Sequence, residues 1–333
     1  MATPPMTRRE WLAQTSAAAP ARARVAPREE LVNTLEFETE AAKVLDAVTA
    51  RLIAGGDRAA FDRITFRPRM MIPCMDLDLS VELFGTKLFA PIIVGPVADQ
   101  KRFHAEGEVA TVRGATAAKA AMVMSSRASI AAKDASTSLF YQVFAEEGAR
   151  AITSKAKDAE QAGGKAVFVT VGATDAASAK RAARIDWAAA DAVRAAVSIP
   201  VVVKGVTSAQ VASEAAQRGF AGVVVSTYGR PEAPGQPAPV DLVASVADAV
   251  GSKVPVLVDG GFRRGTDIMK ALAFGARAVL VARPVMWGLA AYGADGVQSV
   301  LELLQTDLAR VMACCGAPNL GAITKAMVKV HRA

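Results

Sequence analysis

Cysteine is scarce, aromatic residues are few and no long apolar run occurs, and each shortage removes a class of protein. Three cysteines in 333 residues, Cys74 and the adjacent Cys314 and Cys315, show no Cys-x-x-Cys spacing. That excludes a disulfide framework and a structural zinc centre, so no metal is expected and the fold is held by packing. No apolar stretch reaches the length of a transmembrane helix. Aromatic residues make up 5% of the chain, and the net charge of +7 comes from Lys and Arg scattered among acids. Without a basic run interleaved with stacking side chains, nucleic acid is not expected as a partner, and a modest positive charge suits small phosphates and carboxylates. No GxGxxG follows any apolar run, which counts against a doubly wound dinucleotide-binding sheet.

What the chain does have is 52% apolar side chains in a regular rhythm. The runs are FAPIIVGP (89–96), AMVMSS (121–126), LFYQVF (139–144), AVFVTV (166–171), PVVVKG (200–205), GVVVST (222–227), PVLVDGG (255–261) and AVLVARP (278–284). Each is continuously apolar, as strands covered on both faces are, and Ala-rich helical stretches separate them, as parallel crossovers require. Eight such units predict a (β/α)8 barrel with an N-terminal helical extension. The expected organisation is a single domain over 28–333, with the barrel core at about 88–300. A helix should start near Arg28, and a strand pair before residue 88 should cover the barrel's bottom. Residues 1–27 read as a disordered or signal-like lead-in. TRREWL (7–12) has the twin-arginine form of an export signal, but the stretch after it lacks an apolar core. The expected location is therefore cytoplasmic, with export as the alternative.

Barrel chemistry sits at the C-terminal ends of strands. The candidates there are Pro96 with Ala98, Ser125 and Ser126, Gln142 with Phe144, Thr170, Lys204, Ser226 with Tyr228 and Arg230, Asp259 with Gly261 and Arg263, and Arg283. Polar groups closing apolar strands are disfavoured by desolvation unless something uses them. Two features are the most informative. Gly260 and Gly261 let the backbone approach a ligand and are followed by Arg263 and Arg264, at the loops where barrels commonly bind phosphate. Lys204, at a barrel mouth, calls for a negative charge nearby.

These motifs resemble the FMN-dependent α-hydroxy acid oxidase and dehydrogenase family, which includes glycolate oxidase, lactate oxidase and mandelate dehydrogenase. The resemblance runs from about 29 to 327 and is most specific in DGGFRRGTDIMKALAFGARAVLVARPVMWGLAAYGADGV; FDRITFRPRMM, FAPIIVGPVA, HAEGEVATVRGA, FYQVF, FVTV and IPVVVKGV add to it. It implies FMN as cofactor, a small carboxylate substrate and a homo-oligomer, a tetramer by the family's habit. It also implies that Pro96 and Ala98 underlie the flavin ring, that Ser125, Gln142 and Thr170 are its polar contacts, and that Lys204 stands beside N1. Asp259, Gly261, Arg263 and Arg283 then match the ribityl and phosphate contacts, with Ala282 in place of a family glycine.

The substrate side departs from that pattern. Where the family reads SNHGGRQ, this chain reads Ser226, Thr227, Tyr228, Gly229, Arg230, Pro231, so Tyr228 stands in the catalytic histidine's place and Arg230 sits one residue early. Neither His104 nor His331 replaces the histidine. Phe144 replaces a substrate-touching tyrosine, Gly172 an aspartate, and the loop before Ile185 and Asp186 is shortened, leaving Arg181 and Arg184 as unaligned cations. The segment RLIAGGDRAAF lacks a family tyrosine and a short stretch after its paired glycines. The expected function is an FMN oxidoreductase of this family with an altered substrate site built on Tyr228 and Arg230, which calls standard hydroxy acid oxidation into question. The alternatives are an FMN-dependent reductase in which Tyr228 donates the proton, and a non-catalytic flavin-binding protein.

Overall fold

The computed structural model describes residues 24–56, 58–69, 71–74, 76–135, 139–171, 185, 187–227 and 237–331. Its strands, in chain order, are β1 (Ile64–Phe66), β2 (Val81–Leu83), β3 (Thr86–Leu88), β4 (Ile92–Val94), β5 (Ala121–Ser125), β6 (Leu139–Phe144), β7 (Ala166–Thr170), β8 (Val201–Val206), β9 (Gly222–Val225), β10 (Val256–Asp259), β11 (Ala278–Val281) and β12 (Val328–Val330). Strands β4 to β11 pair in sequence order and close, β11 against β4, into an eight-stranded parallel barrel. The eight apolar runs and the eight barrel strands coincide.

Period-two alternation divides each strand between two cores. One register, with Ile93, Val123, Phe140, Phe168, Val202, Val224, Leu257 and Leu280, fills the barrel. The other, with Val94, Met124, Val143, Val169, Val203 and Val225, packs outward beneath the helices. The β2–β3 hairpin stoppers the N-terminal mouth, contributing Val81, Leu83 and Leu88 to the interior cluster. At its tip Phe84 meets the rings of Phe140 and Phe168 edge-on, at 5.7 and 5.9 Å.

One detail differs from the sequence expectation, and another was not anticipated by it. The first α-helix spans Thr34–Val44 rather than starting near Arg28, where there is only a 3-10 turn at Arg28–Glu30. The start is set by Asn33, whose side chain accepts from Leu35 N while Glu36 accepts from Asn33 N. The C-terminal tail also returns to the start of the fold, β12 pairing antiparallel with β1 through Ile64 and Val330. Among the described residues no helix is long and apolar enough to cross a membrane.

Candidate functional site

The next residue outward along the barrel's interior register is polar on six of the strands. Two positions beyond Val123, Phe140, Phe168, Val202, Val224 and Leu257 stand Ser125, Gln142, Thr170, Lys204, Ser226 and Asp259. All but Asp259 are buried. Alternation therefore places them in one layer above the apolar interior, at the C-terminal mouth.

The layer is internally bonded. Lys204, only 1% exposed, places Nζ 2.6 Å from Asp259 Oδ2 and donates to Ser226 Oγ at 2.9 Å. The negative charge that a mouth lysine calls for thus comes, in part, from the protein itself. Gly205, at φ +98°, shifts the β8–β9 register directly after Lys204, a bulge of the kind that re-aims a neighbouring side chain. Gln142 Nε2 donates to Thr170 Oγ1 at 2.6 Å, and Ser125 Oγ accepts from Arg127 N at 3.1 Å. Ser126 Oγ is buried and has no hydrogen-bond partner among the described residues.

Beyond β10 the chain turns through Gly260 (φ +102°) and Gly261 (φ +82°), conformations that favour glycine. The two arginines that follow then separate. Arg264 points away and pairs with Asp307 at 3.1 Å. Arg263 turns in, 3% exposed, with its guanidinium 4.7 Å from the centre of the Trp287 ring and its Nη1 donating to Phe262 O. Arg283, which opens the helical stretch Arg283–Cys314, broken by a kink at Gly293, after β11, reaches the same place, and both arginines donate to Gly55 O. Burial, then repulsion from Arg283, pushes the Arg263 guanidinium down to about 10. Asp267, fully buried in helix Gly265–Ala273, fixes the loop by accepting from Arg263 N at 2.9 Å and Arg264 N at 3.0 Å.

Between the layer and the arginine pair lies a cavity of about 380 Å³. Its lining includes Pro96, Ala98, Lys204, Asp259, Gly261, Arg263 and Arg283 of the sequence candidates, with Leu52, Thr227 and Met286. Ser125, Gln142 and Thr170 belong to the same strand-end layer as Lys204 but are not among the residues lining the cavity. A larger cleft of about 620 Å³, lined by Lys87, Phe89 and Lys119, lies at the opposite end of the strands, away from that layer. Tyr228 and Arg230 lie outside the described residues, as do Gly172, Arg181, Arg184 and Asp186; Thr227, at the cavity, is the last described residue before them. Phe144 is buried, with the Arg127 guanidinium 3.8 Å from its ring centre. Sequence reasoning missed Asp267, Trp287 and Arg127. Of these only Asp267 had a local signal, an acid in the first turn after Arg264-Gly265.

Comparison with known proteins gives a consistent picture. The family described as FMN-dependent dehydrogenase matches over residues 47–184 and 172–330, two pieces that overlap at 172–184. A peroxisomal (S)-2-hydroxy-acid oxidase of Oryza sativa subsp. japonica is 34% identical over 349 aligned residues, 89% of this chain and 95% of the relative. Glycolate oxidase of Spinacia oleracea is 32% identical, covering 90% of this chain and 96% of its own. A crystal structure of mandelate oxidase with (S)-2-phenylpropionate superposes with a TM-score of 0.84 at 31% identity, over 91% of this chain and 100% of that one.

The donor set fits the cofactor in that family description. Two neighbouring guanidiniums, one of them lowered by burial and then by repulsion from the other, are satisfied best by a dianion such as a phosphate monoester. The cavity falls within the roughly 300–1,000 Å³ typical of cofactor sites. At its other end stand Lys204 and Thr227, an ammonium and a hydroxyl residue of the kind that a heteroaromatic ring edge needs.

Proposed function

The chain belongs to the FMN-dependent dehydrogenase family, and on that premise we propose that it oxidises the CH–OH group of a small 2-hydroxy acid through a substrate end rebuilt on Tyr228 and Arg230. The observation that carries this reading is one cavity joining a polar strand-end layer to a pair of convergent arginines. Pro96 and Ala98 form the floor of the flavin site, Ser125, Gln142, Thr170 and Lys204 meet the ring's polar edge, and Asp259, Gly261, Arg263 and Arg283 hold the ribityl chain and phosphate. When bound, FMN supplies a two-electron hydride acceptor.

Every other requirement falls on the chain. Lys204 keeps a positive charge at the ring's edge, and its pairing with Asp259 and Ser226 fixes where that charge sits. Arg230 grips the substrate carboxylate. Tyr228 takes the hydroxyl proton as the substrate gives up its Cα hydride, leaving a 2-oxo acid. A phenol of ordinary pKa about 10 is mostly protonated at neutral pH, so it serves poorly as a base there. Turnover should therefore be slow at pH 7 and climb toward about pH 10 as the phenolate forms. We place the protein in the cytoplasm as a homo-oligomer, tetrameric by family resemblance, which sedimentation at working concentration checks.

Turnover of glycolate, lactate and mandelate by Tyr228→Phe and Arg230→Ala tests the substrate end. Arg230→Ala should raise KM about tenfold or more, the loss of one charge-assisted grip. Tyr228→Phe should lower kcat about a hundredfold and flatten the alkaline rise. Unchanged turnover in both variants would remove these residues from the reaction.

A further inference from the structure

One segment reaches the arginine pair from far away in the chain. It follows helix Ala47–Ile53 and is tied down at several points. Ile53 O accepts from Trp287 Nε1 at 2.8 Å, and Gly55 N donates to the Glu38 carboxylate. Gly55 O accepts from both Arg263 and Arg283. Arg58 Nη2 lies 2.9 Å from Asp267 Oδ1, the carboxylate that also holds the backbone of Arg263 and Arg264. Gly56 has φ +129°, and a Cβ there would sit 2.6 Å from Arg283 Nη1 and 2.7 Å from Arg263 Nη2. Only glycine lets the backbone lie this close to both guanidiniums.

We propose that Gly55 and Gly56 are phosphate-site residues: the strap they form locks Arg263 and Arg283 into a single receptor for the phosphate of the flavin cofactor, an inference that rests on the flavin reading above. Two arginines that repel one another and have many rotamers would splay apart, and ordering them is an entropic cost that binding would otherwise bear. A shared carbonyl acceptor removes that cost before the ligand arrives. Each guanidinium carries several N–H donors, so one directed at Gly55 leaves others for an anion. Trp287 supports the arrangement from below, carrying the Arg263 guanidinium on its ring while its indole N–H holds Ile53.

The test titrates flavin-stripped protein with FMN and with riboflavin, which keeps the ring and ribityl chain but has no phosphate, reading binding by flavin fluorescence. The variants are Gly56→Ala and Arg58→Gln, with Val48→Ala, on an exposed face, as control. Arg58→Gln leaves the glycine turn intact and so stands even where Gly56→Ala folds poorly; melting curves of each variant report that. Gly56→Ala should weaken FMN about tenfold or more, Arg58→Gln by less, and riboflavin should stay within about twofold in both. Equal losses for both flavins would make the strap merely structural, and tighter FMN binding would make Gly55 O a competitor of the phosphate; either overturns the proposal. Wild-type protein that binds flavin but prefers FMN no more than riboflavin would overturn the phosphate end itself. Protein that takes up neither would overturn the flavin reading with it.

Discussion

Lys204 and Asp259 illustrate how much one buried pair decides. The ammonium is almost fully enclosed and its carboxylate partner is 20% exposed, so removing the lysine leaves a largely desolvated negative charge behind. Lys204→Met should therefore destabilise the fold by roughly 3 kcal/mol, and Lys204→Met with Asp259→Leu by less than Lys204→Met alone. Urea unfolding of the two single variants and the double variant reads the coupling directly. The arginines behave in the opposite way. Arg263 is a base whose folded pKa is lowered, to about 10, by burial first and by Arg283 next. Below that pH both folded and unfolded chains are protonated and the penalty is fully present; it is relieved only as pH rises above about 10 and the folded form sheds its proton first. Removing the repelling neighbour lifts the smaller, electrostatic part of it at neutral pH, while the larger part from burial stays. Flavin-free Arg283→Met should melt no lower than wild type while binding FMN about tenfold or more weakly, a separation of stability from binding that calorimetry and titration would show.

Elements were legible where a single physical pattern dominates. Continuous apolar runs marked all eight barrel strands, because strands buried on both faces cannot alternate. Barrel topology put the candidates at the C-terminal strand ends, and six of them, Ser125, Gln142, Thr170, Lys204, Ser226 and Asp259, share one polar layer. Elements stabilised by distant partners were not legible. Strands β1 and β12 are three residues each and exist through pairing with one another across the whole chain. The strap at Gly55 is fixed by Arg263, Arg283 and Asp267, contacts that no local pattern announces. The helix expected near Arg28 starts later because the Asn33–Glu36 cap, rather than the charged run before it, satisfies the first free N–H groups. At this scale stability and function also part company. Phe84 stoppers the barrel at the end opposite the cavity, so Phe84→Ala should cost up to about 3 kcal/mol and leave FMN affinity unchanged.

For the whole molecule, barrel architecture was readable from composition and periodicity, whereas FMN and its contacts came through resemblance; nothing in spacing alone distinguishes a flavin phosphate from another phosphate. An alignment longer than the chain itself, covering only 89% of it, means that the relative carries insertions this chain lacks. The family pattern breaks into two pieces that overlap at 172–184, the stretch read from sequence as a shortened loop after the fourth barrel strand. The arginine end and the polar layer are assembled among the described residues, and the changes we propose, at Tyr228 and Arg230, belong to the substrate side of the mouth. The central claim is that such a barrel still passes hydride from a hydroxy acid. Anaerobic mixing of the FMN-loaded protein with L-2-hydroxy acids from glycolate to mandelate, followed by flavin absorbance, tests it most directly. Bleaching by at least one of them, faster at pH 9 than at pH 7, is the outcome expected of a tyrosine-based site. A flavin that dithionite bleaches but no hydroxy acid does would contradict the claim and turn the reading toward reductive chemistry or a binding role.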